Sequence, residues 1–332
     1  MDLKTYLRDE IDWELPFPAE EYADRRKRVR AAMAKAGVDV LMLCRFPDMN
    51  WLTGYDMILP HLRNPATLVV RADSDETLFF DAAAHATIVA LVPEIRDAVF
   101  FDHGPMAEPA DFEIMASELA ARGLAGGTIG LQFWGWGPHP SVVEALAEKL
   151  RAKGANVVDA SLLVETQRLY KSPREQEVMR QAAAMGDTAL EAARAAMAPG
   201  MMETEIEAVM TASLMEQGCN YPAIHTMIGS GVRSGTHHSA PTHRRVKEGD
   251  LVSIDFCPAL HRYHVNTCRT FSIGKADDRW IEVMEKAAGS IDAVLENLKI
   301  GDPLPRTDEI AHAYIEKVGL KDKAWWIGGY PM

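Results

Sequence analysis

The 332-residue chain is short of several features that would direct it to a known class of work. It has no run of about 18 apolar residues, so no membrane-spanning helix is expected. Its opening segment, MDLKTYLRDEIDWELP, is charged and has no apolar centre, so it does not read as a signal peptide. Cysteine is scarce. The four present, Cys44, Cys219, Cys257 and Cys268, are scattered and form no CxxC pair, which speaks against a disulfide framework. They are expected to be small packing residues. Basic charge is in deficit, with 35 Lys and Arg against 48 Asp and Glu and a net charge of −13. No basic stripe is available for nucleic acid. The one dense basic cluster, RRKRVR at 25–30, follows Glu20 and Glu21 in a helical pattern and is expected to be a solvated helix face. GSGVRSG at 229–235 has the wrong spacing for a dinucleotide fingerprint, and there is no P-loop and no GxSxG elbow. Nucleotide chemistry and serine hydrolysis are therefore disfavoured.

What remains is a globular chain with 48% hydrophobic and 25% charged residues, long enough for two cores. A small-molecule substrate and a cytoplasmic location suit it. Residues 19–36 have a helical pattern ended by Gly37, and VDVLMLC (38–44) reads as a buried strand. ATLVVRA (66–72) and ETLFFDA (76–82) flank a turn signal. Helical patterns at 110–122 and 139–153 alternate with strands near 127–133 and 156–159, an α/β arrangement. Helices are expected at 173–198, 203–217, 276–297 and 306–318, around a strand-rich stretch at 221–273. That is an α+β pattern, with helices on one face of a curved antiparallel sheet.

The most informative stretch is SIDFCPALHRYHVNTCRTF, 253–271. LVSIDF (251–256) and the stretch from Tyr263 to Phe271 read as two antiparallel strands joined by a turn. A residue on the first and another eleven positions on then face one cavity from neighbouring strands. Two carboxylates so placed bridge a pair of divalent ions. Here the first position is Asp255 and the second is Asn266. A neutral amide is a poor ligand for Mn, Co or Zn. Histidines cluster too: His225, His237, His238, His243, His261 and His264. Their spacing on a Ser/Pro/Thr loop provides no i,i+4 helical pair for zinc.

The segment from Gly229 to Gly274 resembles the core of the creatinase, prolidase and aminopeptidase P superfamily, which has a pita-bread fold. The matching pieces are Ser230-Gly231, His238, the GDLVSID run at 249–255, Tyr263, and Arg269-Thr270-Phe271 followed by Gly274. KSPREQEVMRQAA (171–183) resembles the helix opening that family's catalytic domain, and residues 19–160 resemble its smaller N-terminal domain. The resemblance implies an N-terminal α/β domain at 1–165 and a pita-bread catalytic domain at 166–332. Asp255 matches the first metal-binding aspartate and would be the metal ligand here. Asn266 stands where the second should be. The family's metal-binding Gly-His-x-x-Gly corresponds to Gly329-Tyr330-Pro331-Met332, with Tyr330 in the histidine's place. The family's two functional glutamates lie on strands beyond this point, so the chain is expected to lack its C-terminal strands.

Two ligand losses resemble the metal-independent branch, creatinase and the ectoine hydrolases, which break C–N bonds in small polar compounds without metal. His238 matches the family's active-site histidine and suits proton transfer near neutral pH. Asp255, read as a buried carboxylate, would hold a substrate cation or orient a nucleophile, or else pair with Arg269. Tyr263, Arg269, Asn266 and Tyr330 are candidate substrate contacts. In creatinase-like homodimers the N-terminal domain caps the partner's site, and HLRNPATLV (61–69) resembles the segment that contacts a substrate carboxylate, which makes Arg63 a candidate clamp. PDMNWLTGYD (47–56) resembles the signature of this N-terminal domain, with Trp51 and Tyr55 as packing residues. Three readings follow. One is a hydrolase of C–N bonds in a small carboxylate-bearing substrate, with no cofactor and with His238 as general acid and base. Another is an Xaa-Pro dipeptidase that uses Mn, Co or Zn. The last is a pita-bread domain that binds without catalysis.

Overall fold

The computed structural model describes residues 15–57, 66–102, 108–135, 138–222, 224–236 and 238–323. The chain divides into two compact units, Met1–Tyr170 and Lys171–Met332.

In the first unit, helix α1 (Ala19–Ala36) ends at Gly37 in the left-handed conformation, as its sequence predicts. Strand β1 (Val40–Leu43) follows, then helix α2 (Phe46–Thr53), the hairpin of β2 (Thr67–Arg71) and β3 (Thr77–Ala82), short α3 (Ala86–Ala90) and β4 (Asp97–Phe101). Helix α4 (Pro109–Ala121), β5 (Thr128–Leu131), α5 (Pro140–Ala152), β6 (Asn156–Asp159) and α6 (Leu163–Arg168) complete it. The strands form one mixed sheet in the order β4-β3-β2-β1-β5-β6. β1 is antiparallel to β2 and parallel to β5, as an α/β unit with one hairpin requires. Val40, Met42, Phe80, Ile129 and Leu131 fill the core against α4 and α5.

The basic cluster corrects its expectation. Arg25 and Arg26 are buried, not solvated. The Arg25 guanidinium lies over the rings of Phe17, Tyr22 and Trp51 and donates to the Trp51 carbonyl oxygen at 2.9 Å. Arg26 donates to Glu94 at 2.5 Å and to Asp75 at 3.1 Å. A planar cation with five donors can be enclosed by aromatic faces and carboxylates, which a charge count along the chain cannot reveal.

The second unit opens with α7 (Pro173–Ala196), closed at its start by a reciprocal Ser172–Glu175 capping box. Helix α8 (Glu203–Glu216), β7 (Met227–Ser230), β8 (Leu251–Phe256), β9 (Ala259–Leu260), β10 (Tyr263–His264), β11 (Thr267–Ser272), α9 (Asp278–Asn297) and α10 (Pro305–Lys317) follow. β8 is the centre of an antiparallel β11-β8-β7 sheet. Its residues alternate between the two faces: Val252, Ile254 and Phe256 are buried against Ala189, Ala193, Ile206 and Met210 of α7 and α8. Leu251, Ser253 and Asp255 take the other face and are half-buried. Gly186 lets α7 rest on the turn after β8, since a Cβ there would meet Pro258 Cγ at 2.9 Å.

One expected strand is broken. The stretch from Tyr263 to Phe271 is not continuous: β10 pairs with β9 in a two-residue hairpin, and β11 starts afresh at Thr267 to pair with β8. The hairpin turn residues His261 and Arg262 both have positive φ, the geometry a tight two-residue hairpin demands. Val265 and Asn266 form the break between the two strands. Among the described residues no helix is long and apolar enough to cross a membrane.

Candidate active site

The site is laid out by the β7-β8-β11 register. Met227 of β7 and Cys268 of β11 lie directly opposite Asp255 on either side, so the three occupy one row on the sheet face away from α7 and α8. Gly229, Ser253 and Thr270 form the next row. Asp255 is half-buried, which corrects the expectation of a buried carboxylate: the position alternates onto the less covered face.

Asn266, in the break before β11, reaches back across the row. Its Nδ2 donates to Asp255 Oδ1 at 2.9 Å and lies 3.4 Å from Cys257 Sγ. Only the N–H end of an amide can face a carboxylate, so the pairing also fixes the amide's orientation. The two positions eleven apart are thus brought together as their spacing predicts.

Arg269 is elsewhere. It lies opposite Ile254, on the other side of the alternation, and its guanidinium donates to the Cys268 carbonyl oxygen at 2.8 Å. The alternative in which it pairs with Asp255 is not realised. Tyr263 gives its hydroxyl hydrogen to Glu175 Oε1 at 2.6 Å, joining the β9-β10 hairpin to the start of α7. Arg63, His237 and Tyr330 lie outside the described residues.

His238 is on the connection from β7 to β8. Its φ is +57°, a left-handed conformation that costs a non-glycine residue about 1 kcal/mol or more. The next residue, Ser239, accepts a hydrogen bond through its carbonyl oxygen from Ile228 N at 2.9 Å, so this part of the loop lies along β7. β7 itself is bonded to β8 on its other side. At roughly 4.8 Å per strand, the loop backbone and the β8 backbone are thus ~10 Å apart.

A buried carboxylate that sequence reasoning missed organises the same loop. Glu203, the first residue of α8, is fully enclosed. Its Oε1 accepts from Ser230 N at 2.9 Å and Ser230 Oγ at 2.6 Å; its Oε2 accepts from Thr242 N at 2.9 Å, Thr242 Oγ1 at 2.7 Å, and Arg233 Nη1. Burial alone would raise this carboxyl, but the hydrogen bonds from Ser230, Thr242 and Arg233 outweigh it and hold it below the usual range. Arg244 bonds Ser230 Oγ at 2.6 Å and Asp250 Oδ2 at 2.8 Å. Gly231 follows in the left-handed region, where a Cβ would lie 2.4 Å from Arg244 Nη2. The Ser230-Gly231 pair has its physical reason here. Glu203 carried only a helix-start signal, because its partners lie 27, 30 and 39 positions away.

A divalent metal centre needs several anionic or imidazole donors around one point. Among the described residues no group of three or more His, Cys, Asp or Glu side chains is placed to hold a metal ion. At Asp255 the neighbouring polar group is an amide donor, which competes with a cation for the same carboxylate oxygen. The described residues do not by themselves make a two-metal ligand set.

Comparison with known proteins agrees with this architecture. Residues 25–170 match the Creatinase/Prolidase N-terminal domain and residues 177–329 match Metallopeptidase family M24. An ectoine hydrolase of Halomonas elongata is 27% identical over 341 aligned residues, spanning 97% of this chain and 83% of the relative. An Xaa-Pro dipeptidase of Pyrococcus furiosus is 29% identical over 182 residues, 55% of this chain and 52% of that protein. The crystal structure of a prolidase from Thermococcus sibiricus superposes with a TM-score of 0.79 at 17% identity, covering 92% of this chain and 80% of that one. The two units are therefore an N-terminal creatinase/prolidase domain and a pita-bread domain. The chain belongs to the creatinase, prolidase and aminopeptidase P superfamily of hydrolases.

Proposed function

We propose that the protein is a metal-independent hydrolase of a C–N bond in a small, polar, carboxylate-bearing substrate. The observation that carries this reading is the Asn266–Asp255 hydrogen bond, with an amide at the place of a second carboxylate. The neutral amide removes one of the negative charges that would hold two dications. The alignment with an ectoine hydrolase, over 97% of this chain and 83% of that protein, supports a small-molecule substrate.

In this reading Asp255 binds a substrate N–H or orients the attacking water, while Asn266 keeps the carboxylate in place. His238 gives its proton to the departing nitrogen as water adds to the acyl or amidine carbon and the C–N bond breaks. The imidazole then recovers a proton from the added water. Arg63 is the proposed clamp for the substrate carboxylate, with the N-terminal domain of one subunit capping the site of another in a cytoplasmic homodimer.

The test is turnover of a panel of small amides, ureas, amidines and guanidino acids, alongside Xaa-Pro dipeptides, in chelated buffer. The expected result is hydrolysis of a C–N substrate that persists without metal and falls at least a hundredfold in His238→Ala. Turnover confined to Xaa-Pro dipeptides and dependent on added Mn, Co or Zn would replace this reading with that of a dipeptidase. Tight binding without turnover across the panel would leave a binding domain.

A further inference from the structure

We propose that Glu203 is a positioning residue that fixes the loop carrying His238. The inference deepens the reading of His238 as the proton carrier and rests on it for its catalytic consequence. Every donor to the Glu203 carboxylate comes from β7 or the loop that follows, and none from its own helix. An acidic residue in the first turn of a helix ordinarily serves the exposed backbone N–H groups there. This one is enclosed and turned to five donors from a distant segment, about as many as two carboxylate oxygens can accept.

The donors fall on both sides of His238. Ser230 and Arg233 precede it and Thr242 follows it. Arg233 extends the grip, donating through Nη2 to the Ala240 carbonyl oxygen at 2.8 Å and through Nη1 to Thr242 Oγ1 at 3.0 Å. Thr236 and Ser239 are bonded through their hydroxyls directly across His238. A non-glycine residue in the left-handed conformation stays there only where its surroundings hold it from both directions. The Glu203 carboxylate and the Arg233 guanidinium together supply that hold.

The experiment combines hydrogen exchange with kinetics on Glu203→Gln in the intact chain. The glutamine can still accept from Ser230 at its oxygen, but its NH2 faces Thr242 and Arg233, which are donors. Exchange protection over residues 236–243 is expected to fall at least tenfold while α7 and β8 keep theirs. Turnover number is expected to fall tenfold or more with little change in KM, and the pH profile of turnover is expected to lose its imidazole limb. Adding Arg233→Gln to Glu203→Gln should cost little more, because one clamp is already broken. Unchanged protection in the loop of a folded Glu203→Gln protein overturns the proposal, as does a loss spread evenly over the unit. Should Glu203→Gln not fold, Thr242→Val removes one hydroxyl that donates to Glu203 and accepts from Arg233; a threefold or greater local loss supports the clamp and no change overturns it. A loosened loop in Glu203→Gln together with full activity in His238→Ala would sink the catalytic reading and leave the positioning role standing. An inactive His238→Ala with an unmoved loop in Glu203→Gln would do the reverse.

Discussion

Asn266 Nδ2 lies 2.9 Å from Asp255 Oδ1, joining the break before β11 to the end of β8. Both residues lie within the stretch that matches Metallopeptidase family M24. The bond needs no cation to satisfy the carboxylate, and it holds the break between β10 and β11 against the central strand. The two residues proposed to carry the chemistry of the site thus also serve local structure.

Asn266→Asp puts two carboxylates within hydrogen-bonding distance with no cation between them. The loss of a charged hydrogen bond and the new repulsion should cost about 1–2 kcal/mol near pH 7 in chelated buffer. Below about pH 4 the pair can share a proton, and the cost should shrink. Added Mn should stabilise the variant and leave the parent unmoved. Urea denaturation at both pH values, with and without Mn, checks this. A parent protein markedly stabilised by Mn would contradict the metal-free reading.

Tyr263→Phe removes the only hydrogen-bonding atom of a side chain whose hydroxyl faces Glu175 Oε1 at 2.6 Å. Glu175 is buried and is already shared with the Ser172 backbone through its other oxygen. A buried carboxylate that loses one of its donors should cost about 1–3 kcal/mol. The loss should appear in the denaturation midpoint, with KM for the small substrate changed less than twofold. A large KM rise without loss of stability would return Tyr263 to the role of substrate contact.

Much of this was legible in the sequence, for physical reasons. The long helices showed their caps and punctuation: Ser172 and Pro173 open α7, and Gly37 closes α1. The alternating LVSIDF run announced its buried face, and the spacing of Asp255 and Asn266 announced their contact. The short β4 and α2 had no such pattern, because their burial is decided by the rest of the sheet. Arg25 and Arg26 misled because their partners, Trp51, Asp75 and Glu94, are distant along the chain. Glu203 was hidden for the same reason: a helix-start glutamate and a buried five-donor carboxylate look alike until the loop is folded over it.

The His238 loop should keep its order well into acid. Burial opposes ionisation of Glu203 and Asp250, but their hydrogen bonds to Ser230, Thr242 and Arg233, and to Arg244 and the Lys247 amide, hold both below ordinary carboxylate values. A carboxyl with a depressed folded pKa binds fewer protons folded than unfolded. Its stabilisation is therefore full above the ordinary value of about 4 and is lost as the pH falls through the depressed one. Hydrogen exchange over 231–245, corrected for intrinsic rates, should be flat from about pH 8 to 5 and rise only below about pH 4. Loss of protection already at about pH 6 would mean that a histidine, not these carboxyls, governs the loop.

Cys268 should be the reactive thiol of this protein, and a slow one. It is the exposed member of the four cysteines and shares a row with Asp255. Desolvation of its sulfur raises the thiol above the ordinary value, with the Asp255 charge adding to the effect and Ser253 and Arg269 opposing it. Burial pushes the Cys44 thiol up to about 12, while Cys219 and Cys257 are buried. N-Ethylmaleimide should thus label Cys268 first, at a rate that keeps climbing above pH ~8.5 because the thiolate is the nucleophile. An adduct there stands against Asp255 and should abolish substrate turnover. Cys268→Ser should remove that sensitivity, and a bound substrate should slow labelling of the parent. Peptide mapping of the labelled protein across pH checks the order of reaction. Fast labelling at pH 7, or full turnover of the Cys268 adduct, would place this residue away from the substrate.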